Sequence, residues 1–533
     1  MRQDKGKGQE IWKGAAMLSG AALFAKIVSA GYRIPFQNIV GDIGFYVYQQ
    51  IYPFYGMVMM LGMYGFPVVI SKYIAEEQAK ENETEARLLF TLSFYGLIIF
   101  SIALTGILFI GAPFLAKWMG DPFLTDPLRA VSFTFLLLPF LSIGRGFFQG
   151  HGLMIPTAVS HVIEQLIRVG GILFLVVLFI NSGKGPYGAG VGAAYGSLIG
   201  GIGSILVLWI FSNQVKNYRK WRPSFNRSVL KGINKSIYMF KQSFYLCLSA
   251  LVFILFQFID AFSLIRLLGA YGLEQQAAYV AKGIYDRGQP LLQLGTVLTT
   301  TFSLTLVPLL AKAVAKKELT LAHSYHDLAL RLTFLIGGAA SLGLMVIIEP
   351  TNSMLFTNRE GSEVLRVMAI AIIGSTLYMT LSAVLQGYGY IHLPAMTIGL
   401  GVFTKTGFNL LFVPLLGTIG AALATVCSFA IMVIIQIMML KKVAGNFSRH
   451  YQSYRAIFMA LGSMLIVTWG WRTMVETLIT EQGRLFDMGL ALSTVMVGGF
   501  TIFFCLMHFD ILDEFEWATI PKLHRLRHSI VKK

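Results

Sequence analysis

The feature that most limits what this chain can fold into is a succession of fourteen apolar stretches, each long enough to cross a bilayer. They lie near residues 14–37, 45–71, 88–114, 125–148, 155–180, 188–212, 237–268, 289–311, 325–348, 362–388, 393–415, 418–440, 453–475 and 486–508. Hydrocarbon offers no water to backbone N–H and C=O groups, so a crossing segment must satisfy them internally, and about 20 residues of α-helix do so. An all-α integral membrane protein of about fourteen transmembrane helices is therefore expected. Composition agrees: 55% of the 533 residues are hydrophobic, 13% are charged, and the mean hydropathy is +0.66, more than a water-soluble core of this size requires. The opening MRQDKGKGQEIWKG is basic and enters the first stretch without a small-residue cleavage site, so it reads as leading an uncleaved span. Cys247, Cys427 and Cys505 all lie in apolar runs and suggest packing, not a disulfide framework or a metal site.

Loop charge sets the expected orientation. Twenty-five Lys and Arg fall in the N-terminal segment, the alternate loops on its side and the C-terminal tail, against six in the opposite loops. Basic loops stay cytoplasmic, so both termini are expected inside. Much of the net charge of +17 is then membrane-surface charge, including KNYRKWRPSFNRSVLKGINK at 216–235, and no nucleic-acid partner is implied.

The chain also repeats itself. Gln149-Gly150 is followed by Pro156 and then by Arg168, nineteen residues after Gln149; Gln386-Gly387 is followed by Pro394 and then by Lys405, nineteen residues after Gln386. GVGAA at Gly190–Ala194 answers TIGAA at Thr418–Ala422. Two homologous six-helix lobes are expected, 1–224 and 225–443, in parallel orientation because an even number of spans preserves direction. Residues 444–533, two more helices and a basic cytoplasmic tail, have no counterpart and look like an appendix.

Charges inside the spans mark the candidate site, because a charge in hydrocarbon needs a partner or a purpose. Lys26, Ala30, Arg33 and Gln37 form one stripe of the first helix and are expected to face a cavity. Glu164 and Arg168, at i and i+4, can pair along the fifth helix; Arg145 and Gln149 repeat that spacing on the fourth. Asp260 lies well inside the seventh span and needs a cation, a proton or a basic neighbour, for which Lys405 is the candidate; Lys405 shares a helix face with Asn409. With Arg287, the cations suggest a cavity for an anion, since Arg and Lys both suit phosphate. FYVYQQIYPFYG at 45–56 could stack on sugars or simply pack helices. His151, His161 and His392 are assigned to helix ends. There is no GxxxxGK[ST], HExxH or GxSxG, so neither ATP hydrolysis nor the commoner catalytic chemistries are indicated, and no cofactor is implied.

GFPVVISKYIAEE, RGFFQGHGLMIPTAVSHVIEQLIRV and LQGYGYIHLPAMTIGLGVFTKTGFNLLFVPLLGTIGAALAT together resemble the polysaccharide-flippase branch of the MATE-like superfamily. The chain is similar to the stage V sporulation protein B group and to lipid II flippases and, on GDIGFYVYQQIYPFYG, to YabM-type members. The resemblance implies two lobes in a V, alternating access, a monomer in a bacterial plasma membrane, and flipping of an undecaprenyl-diphosphate-linked sugar; wall-synthesis enzymes are candidate partners. Lys26 and Arg33 fall where lipid II flippases carry two basic residues, and Asp286-Arg287 in GIYDRGQP matches their Asp-Arg. The further arginines those proteins carry in the second helix are absent from YQQIYPFYGMV, which argues against lipid II as cargo. Where some relatives bind sodium, this chain has Asp260, Lys405, Asn409 and Thr425, so an ammonium group is expected in the place of the ion.

Overall fold

Two glycines divide apolar runs that would otherwise be single long helices. Gly41 (φ 69°) interrupts the helical segment Leu23–Ala79 and Gly417 (φ 59°) interrupts His392–Ala444, a backbone conformation that glycine adopts without steric cost. These segments have 57 and 53 residues, enough for two crossings each. The breaks fall between the first and second and between the eleventh and twelfth apolar stretches.

The computed structural model describes residues 20, 21, 23–215, 221, 241, 243, 248, 251–445, 451–479, 483–509, 511, 512 and 517. The N-terminal basic segment, the loop at 216–235 apart from Trp221, Cys247 and the tail beyond 517 lie outside the described residues. Helical residues 23–31 lead into α1 (Arg33–Met60), which passes through a π-helical turn, Leu61–Gly65, into α2 (Phe66–Ala79). There follow α3 (Glu83–Trp118), α4 (Thr125–Ser132), α5 (Leu138–Gly150), α6 (Met154–Asn181), α7 (Gly185–Gln214), α8 (Val252–Tyr271) and α9 (Gln275–Asp286). The remainder is α10 (Gly288–Ala315), α11 (Leu319–Phe356), α12 (Ser362–Gly387), α13 (His392–Ala444), α14 (Tyr451–Leu478) and α15 (Arg484–His508). The fold is all-α, as expected, with no strand among the described residues. Among the described residues, eleven helical segments are long and apolar enough to cross a membrane, two of them long enough to cross twice.

By packing, the chain forms two units, Met1–Asp286 and Arg287–Lys533. In the first, α6 and α7 approach at backbone distance: a Cβ on Gly196 would lie 2.5 Å from the Ile172 nitrogen, so only glycine fits. This accounts for the glycine-rich run of α7. Helices α8 and α9 pack on the first repeat, with Gln50 Nε2 donating to the Ala261 carbonyl (3.3 Å) and Phe54 edge-on to Phe258 (4.9 Å between centroids). Packing therefore divides the chain after Asp286 and not at the expected lobe boundary near residue 224.

In the second unit, α14 and α15 are fastened to α11 and its surroundings. Glu349 accepts from Arg366 Nη2 (2.5 Å) and Arg472 Nη2 (2.6 Å), Arg472 also reaches the Val346 carbonyl (2.5 Å), and Arg359 Nη2 donates to Asp487 Oδ1 (2.7 Å). The two added helices are thus packed and ion-paired into this unit. Helical periodicity reveals an extra pair of helices but not the cross-helix ion pairs that hold it.

Candidate functional site

The interior of the first unit holds three guanidinium groups, from Arg33, Arg145 and Arg168, each essentially inaccessible to solvent. Arg145 on α5 is fully engaged. Its Nη2 meets Glu164 Oε2 at 2.5 Å and Ser204 Oγ at 3.0 Å, its Nε reaches Ser160 Oγ at 3.4 Å, and its Nη1 donates to the Gly62 carbonyl at 3.0 Å. That carbonyl lies in the π turn, where the backbone ladder is disturbed and an acceptor becomes available. Tyr55 Oη completes the set by donating to Glu164 Oε1 at 3.3 Å.

The expected intrahelical pair of Glu164 with Arg168 is therefore replaced by a bridge between helices, Glu164 with Arg145. Arg168 instead donates to Gln165 Oε1 (2.5 Å), Ser29 Oγ (3.0 Å) and Tyr32 Oη (3.2 Å). An i,i+4 spacing permits a pair, but a partner on a neighbouring helix wins where it brings further acceptors and donors to both ions. Gly200 on α7 makes room for the Arg168 stem, since a Cβ there would fall 2.6 Å from Arg168 Cβ.

Arg33 is different. It is 0% exposed, and its Nε, Nη1 and Nη2 have no hydrogen-bond partner among the described residues. Its guanidinium carbon lies 4.1 Å from the Tyr52 ring centroid; that of Arg168 lies 4.9 and 5.0 Å from Tyr32 and Tyr55. Tyr32 and Tyr48 join hydroxyls beside them. Tyr48, Tyr52 and Tyr55 of the 45–56 stretch, with Tyr32, thus surround two guanidiniums, and the stripe expected to face a cavity is, at Arg33, enclosed. Gln37, one turn on, donates to Asp42 Oδ1 (3.0 Å). Lys26 is half-buried in the helical turns before α1, and Gln149 is half-buried at the end of α5. His161 is buried within α6 and not at a helix end, a second correction.

The other assigned residues make contacts of their own, and Asp286 also interacts electrostatically with Asp260 and with Arg33. Asp260 accepts from Tyr285 Oη (2.8 Å), and Asp286 receives Lys282 Nζ at 2.7 and 2.9 Å, both side chains buried. Lys282 and Tyr285 were missed, although Lys282 and Asp286 at i and i+4 on an amphipathic segment carry the same signal used for Glu164 and Arg168. Arg287 belongs to the second unit, where its Nη1 donates to Asn358 Oδ1 (2.7 Å) and Asn352 Oδ1 (3.2 Å). Lys405 on α13 donates to Thr425 Oγ1 (2.8 Å) and the Ala421 carbonyl (3.1 Å); Asn409, one turn away, is fully buried.

A further buried carboxylate, Asp121, lies at the junction between α3 and α4, outside the spans. It accepts from Tyr187 Oη (2.8 Å), Tyr46 Oη (3.1 Å) and the Phe123 amide (3.0 Å), and Tyr46 stacks on Tyr279 of α9 at 4.9 Å. Burial pushes the Asp121 carboxyl above the ordinary carboxylate value, although the donated hydrogen bonds act the other way. Its folded-state pKa being raised, its stabilising contribution is complete below the unfolded value and is lost as pH rises to the folded one. Asp121→Asn, which cannot ionise, is expected to gain in thermal stability on the wild type as pH rises through that window. Parallel melting of both proteins across that window checks this; a difference that does not change with pH would contradict it.

Comparison with known proteins decides the family. Residues 11–314 match the family described as polysaccharide biosynthesis protein. The chain belongs to that family. It is 37% identical over 518 residues to the uncharacterized membrane protein YabM of Bacillus subtilis (strain 168), covering 96% of this chain and 95% of that one. To the lipid II flippase MurJ of the same organism it is 22% identical, covering 98% and 99%. Among solved structures, the lipid II flippase MurJ in an inward closed conformation superposes with a TM-score of 0.68 at 13% identity, over 92% of this chain and 98% of that one. An inward-facing multidrug resistance MATE family transporter of the MOP superfamily superposes with a TM-score of 0.62 at 17% identity, covering 81% and 96%. The fold is MATE-like, and this family member is a multi-pass membrane protein of the flippase and transporter class.

Proposed function

We propose that the protein flips a polyprenyl-diphosphate-linked saccharide across the bacterial plasma membrane by alternating access, without covalent chemistry. The observation that carries this reading is Arg33, a buried guanidinium with all its donors unmatched, beside Arg168 in a box of tyrosines. Such a group is unfavourable when enclosed without an anion and is matched once a diphosphate reaches it, since Arg binds phosphate oxygens through paired donors. Arg33 and Arg168 receive the head group, Lys26 lies on the approach, and the tyrosine rings offer faces to a sugar. Among the described residues the buried charges of this unit are Arg33, Arg145, Arg168 and Lys282 against Asp121, Glu164, Asp260 and Asp286, so the preference for an anion rests on the unmatched donors of Arg33 and not on net charge.

The remaining finer assignments belong to the same reading. The lobes are the sequence repeats 1–224 and 225–443, followed by two further helices and a basic tail; both termini are cytoplasmic, and the protein acts as a monomer. Purified protein should be stabilised against heat by undecaprenyl diphosphate, because a ligand that binds only the folded state raises its stability. Arg33→Met should lose that shift. An equal shift in both proteins would refute the assignment.

Energy coupling through sodium at the place some relatives use is not part of the proposal. The Lys405 ammonium group occupies the acceptors, Thr425 Oγ1 and the Ala421 carbonyl, that a sodium ion would require, and a second cation there would be repelled. Protonation of Asp260 or the membrane potential biases the two states instead. Transport in proteoliposomes is therefore expected to proceed equally in sodium and in choline buffers; a sodium requirement abolished by Asp260→Asn would contradict this.

A further inference from the structure

A groove on the outside of the first unit is built like a phospholipid. Its wider part, about 600 Å³, lies among α3, α4 and the facing ends of α6 and α7, and is lined by Arg129, Lys184, Tyr187, Phe109, Phe133 and Tyr195, among others. It continues into a narrower trench of about 300 Å³ that shares Phe109 and Phe133 and is apolar apart from Thr105, whose hydroxyl donates to the Ser132 carbonyl, with Ile102, Gly106, Ile110 and Leu136 along it.

The two ends differ in chemistry. At the first, the Arg129 guanidinium lies 5.4 Å from the Phe109 ring, and its nearest carboxylate, the largely exposed Asp126, is 3.9 Å away. Arg129 Nε is buried with no hydrogen-bond partner among the described residues. Lys184 Nζ rests 4.2 Å from the Phe179 ring. Both cations therefore sit on aromatic faces and keep hydrogen-bonding capacity for an anion. At the other end, Ile102 and Ile110 are 59% and 80% exposed, and a Cβ added to Gly106 would meet no atom within 4 Å.

Position in the membrane gives this polarity its meaning. Arg129 and Lys184 belong to the ends of spans next to the α3–α4 and α6–α7 connections, at the water boundary. From Phe109 to Ile102 the trench follows α3 for two turns, roughly 10 Å, into the depth of hydrocarbon. A cationic mouth at the boundary and an apolar channel running inward match a phosphate head group and an acyl chain in their natural orientation.

We propose that this groove binds one anionic glycerophospholipid, with its phosphate between Arg129 and Lys184 and an acyl chain over Gly106. The site is separate from the interior arginines and does not depend on what the protein transports. Native mass spectrometry of the full chain in non-ionic detergent, with phosphatidylglycerol or phosphatidylcholine added in equal amounts, tests it. Wild type should retain phosphatidylglycerol in preference, and Arg129→Gln with Lys184→Gln should reduce that retention roughly thirtyfold, the scale of removing two cations from an anionic head group. Gly106→Leu, whose Cβ meets no atom within 4 Å and whose side chain enters the trench, should reduce retention of both lipids, and Arg33→Met should leave it unchanged. Equal retention of the two lipids by wild type, or undiminished phosphatidylglycerol in the groove variants, would overturn the proposal. So would loss of phosphatidylglycerol in Arg33→Met alone, which would place the lipid in the interior.

Discussion

Arg33→Met is expected to make the purified protein more stable to heat and to remove its transport activity. The guanidinium is enclosed with three nitrogens lacking hydrogen-bond partners, and its desolvation is offset only in part by the Tyr52 ring and the nearby Asp286 charge, so its net contribution to folding is expected to be unfavourable. Methionine has a similar length, fills irregular space and packs well against aromatic rings, so the tyrosine box need not collapse. Replacing a buried ion by a well-packed apolar side chain stabilises by about 1–3 kcal/mol when no partner is stranded, and Arg33 strands none through hydrogen bonds. The loss of a charge-assisted contact to a diphosphate is of similar size, equivalent to roughly a tenfold to hundredfold drop in affinity for the head group. A melting curve and a transport assay on one preparation check both parts. A destabilised Arg33→Met protein would mean that the guanidinium is structural, and the functional reading would lose its main support.

Glu164→Leu should have the opposite effect on stability. It leaves Arg145 inside the unit with its carboxylate gone, and breaking a buried pair from one side costs about 3–5 kcal/mol. The double variant Arg145→Met, Glu164→Leu should regain most of that loss, because no charge is then left alone. The two sites are in direct contact, so their effects are not additive, and the four-membered cycle measures their coupling. Single variants as stable as wild type would contradict the network described for α5, α6 and the π turn.

The contrast between these two arginines explains what was legible beforehand. Arg33, Arg145 and Arg168 stood out because each is a charge in an apolar run, a signal that needs no partner to be seen. Which charge meets which did not follow: Glu164 could be paired with Arg168 on spacing alone, and only the approach of α5 to α6 gives it Arg145. The carbonyl of Gly62 was invisible as an acceptor because nothing in LGMYG announces a π turn. The tyrosines of 45–56 fit both stacking and packing until their neighbours were known. Lys405 and Arg168, at the same distance from Gln386 and Gln149, are both buried cations close to a small-residue segment, Lys405 against Ala421 and Thr425, Arg168 against Gly200. The all-helical membrane fold was the most legible part, because the demand that backbone groups be satisfied in hydrocarbon leaves few alternatives. The fastening of α14 and α15 was the least, because it rests on ion pairs between distant segments.

The most direct test of the central claim follows fluorescent undecaprenyl-diphosphate-linked saccharides from one leaflet of a liposome to the other, with wild type and folded Arg33→Met compared at equal protein density. The expected result is movement of the labelled lipid with the wild-type protein and background movement with the variant. Equal rates for the two proteins would show that the unmatched guanidinium does not handle the head group, and would contradict the account.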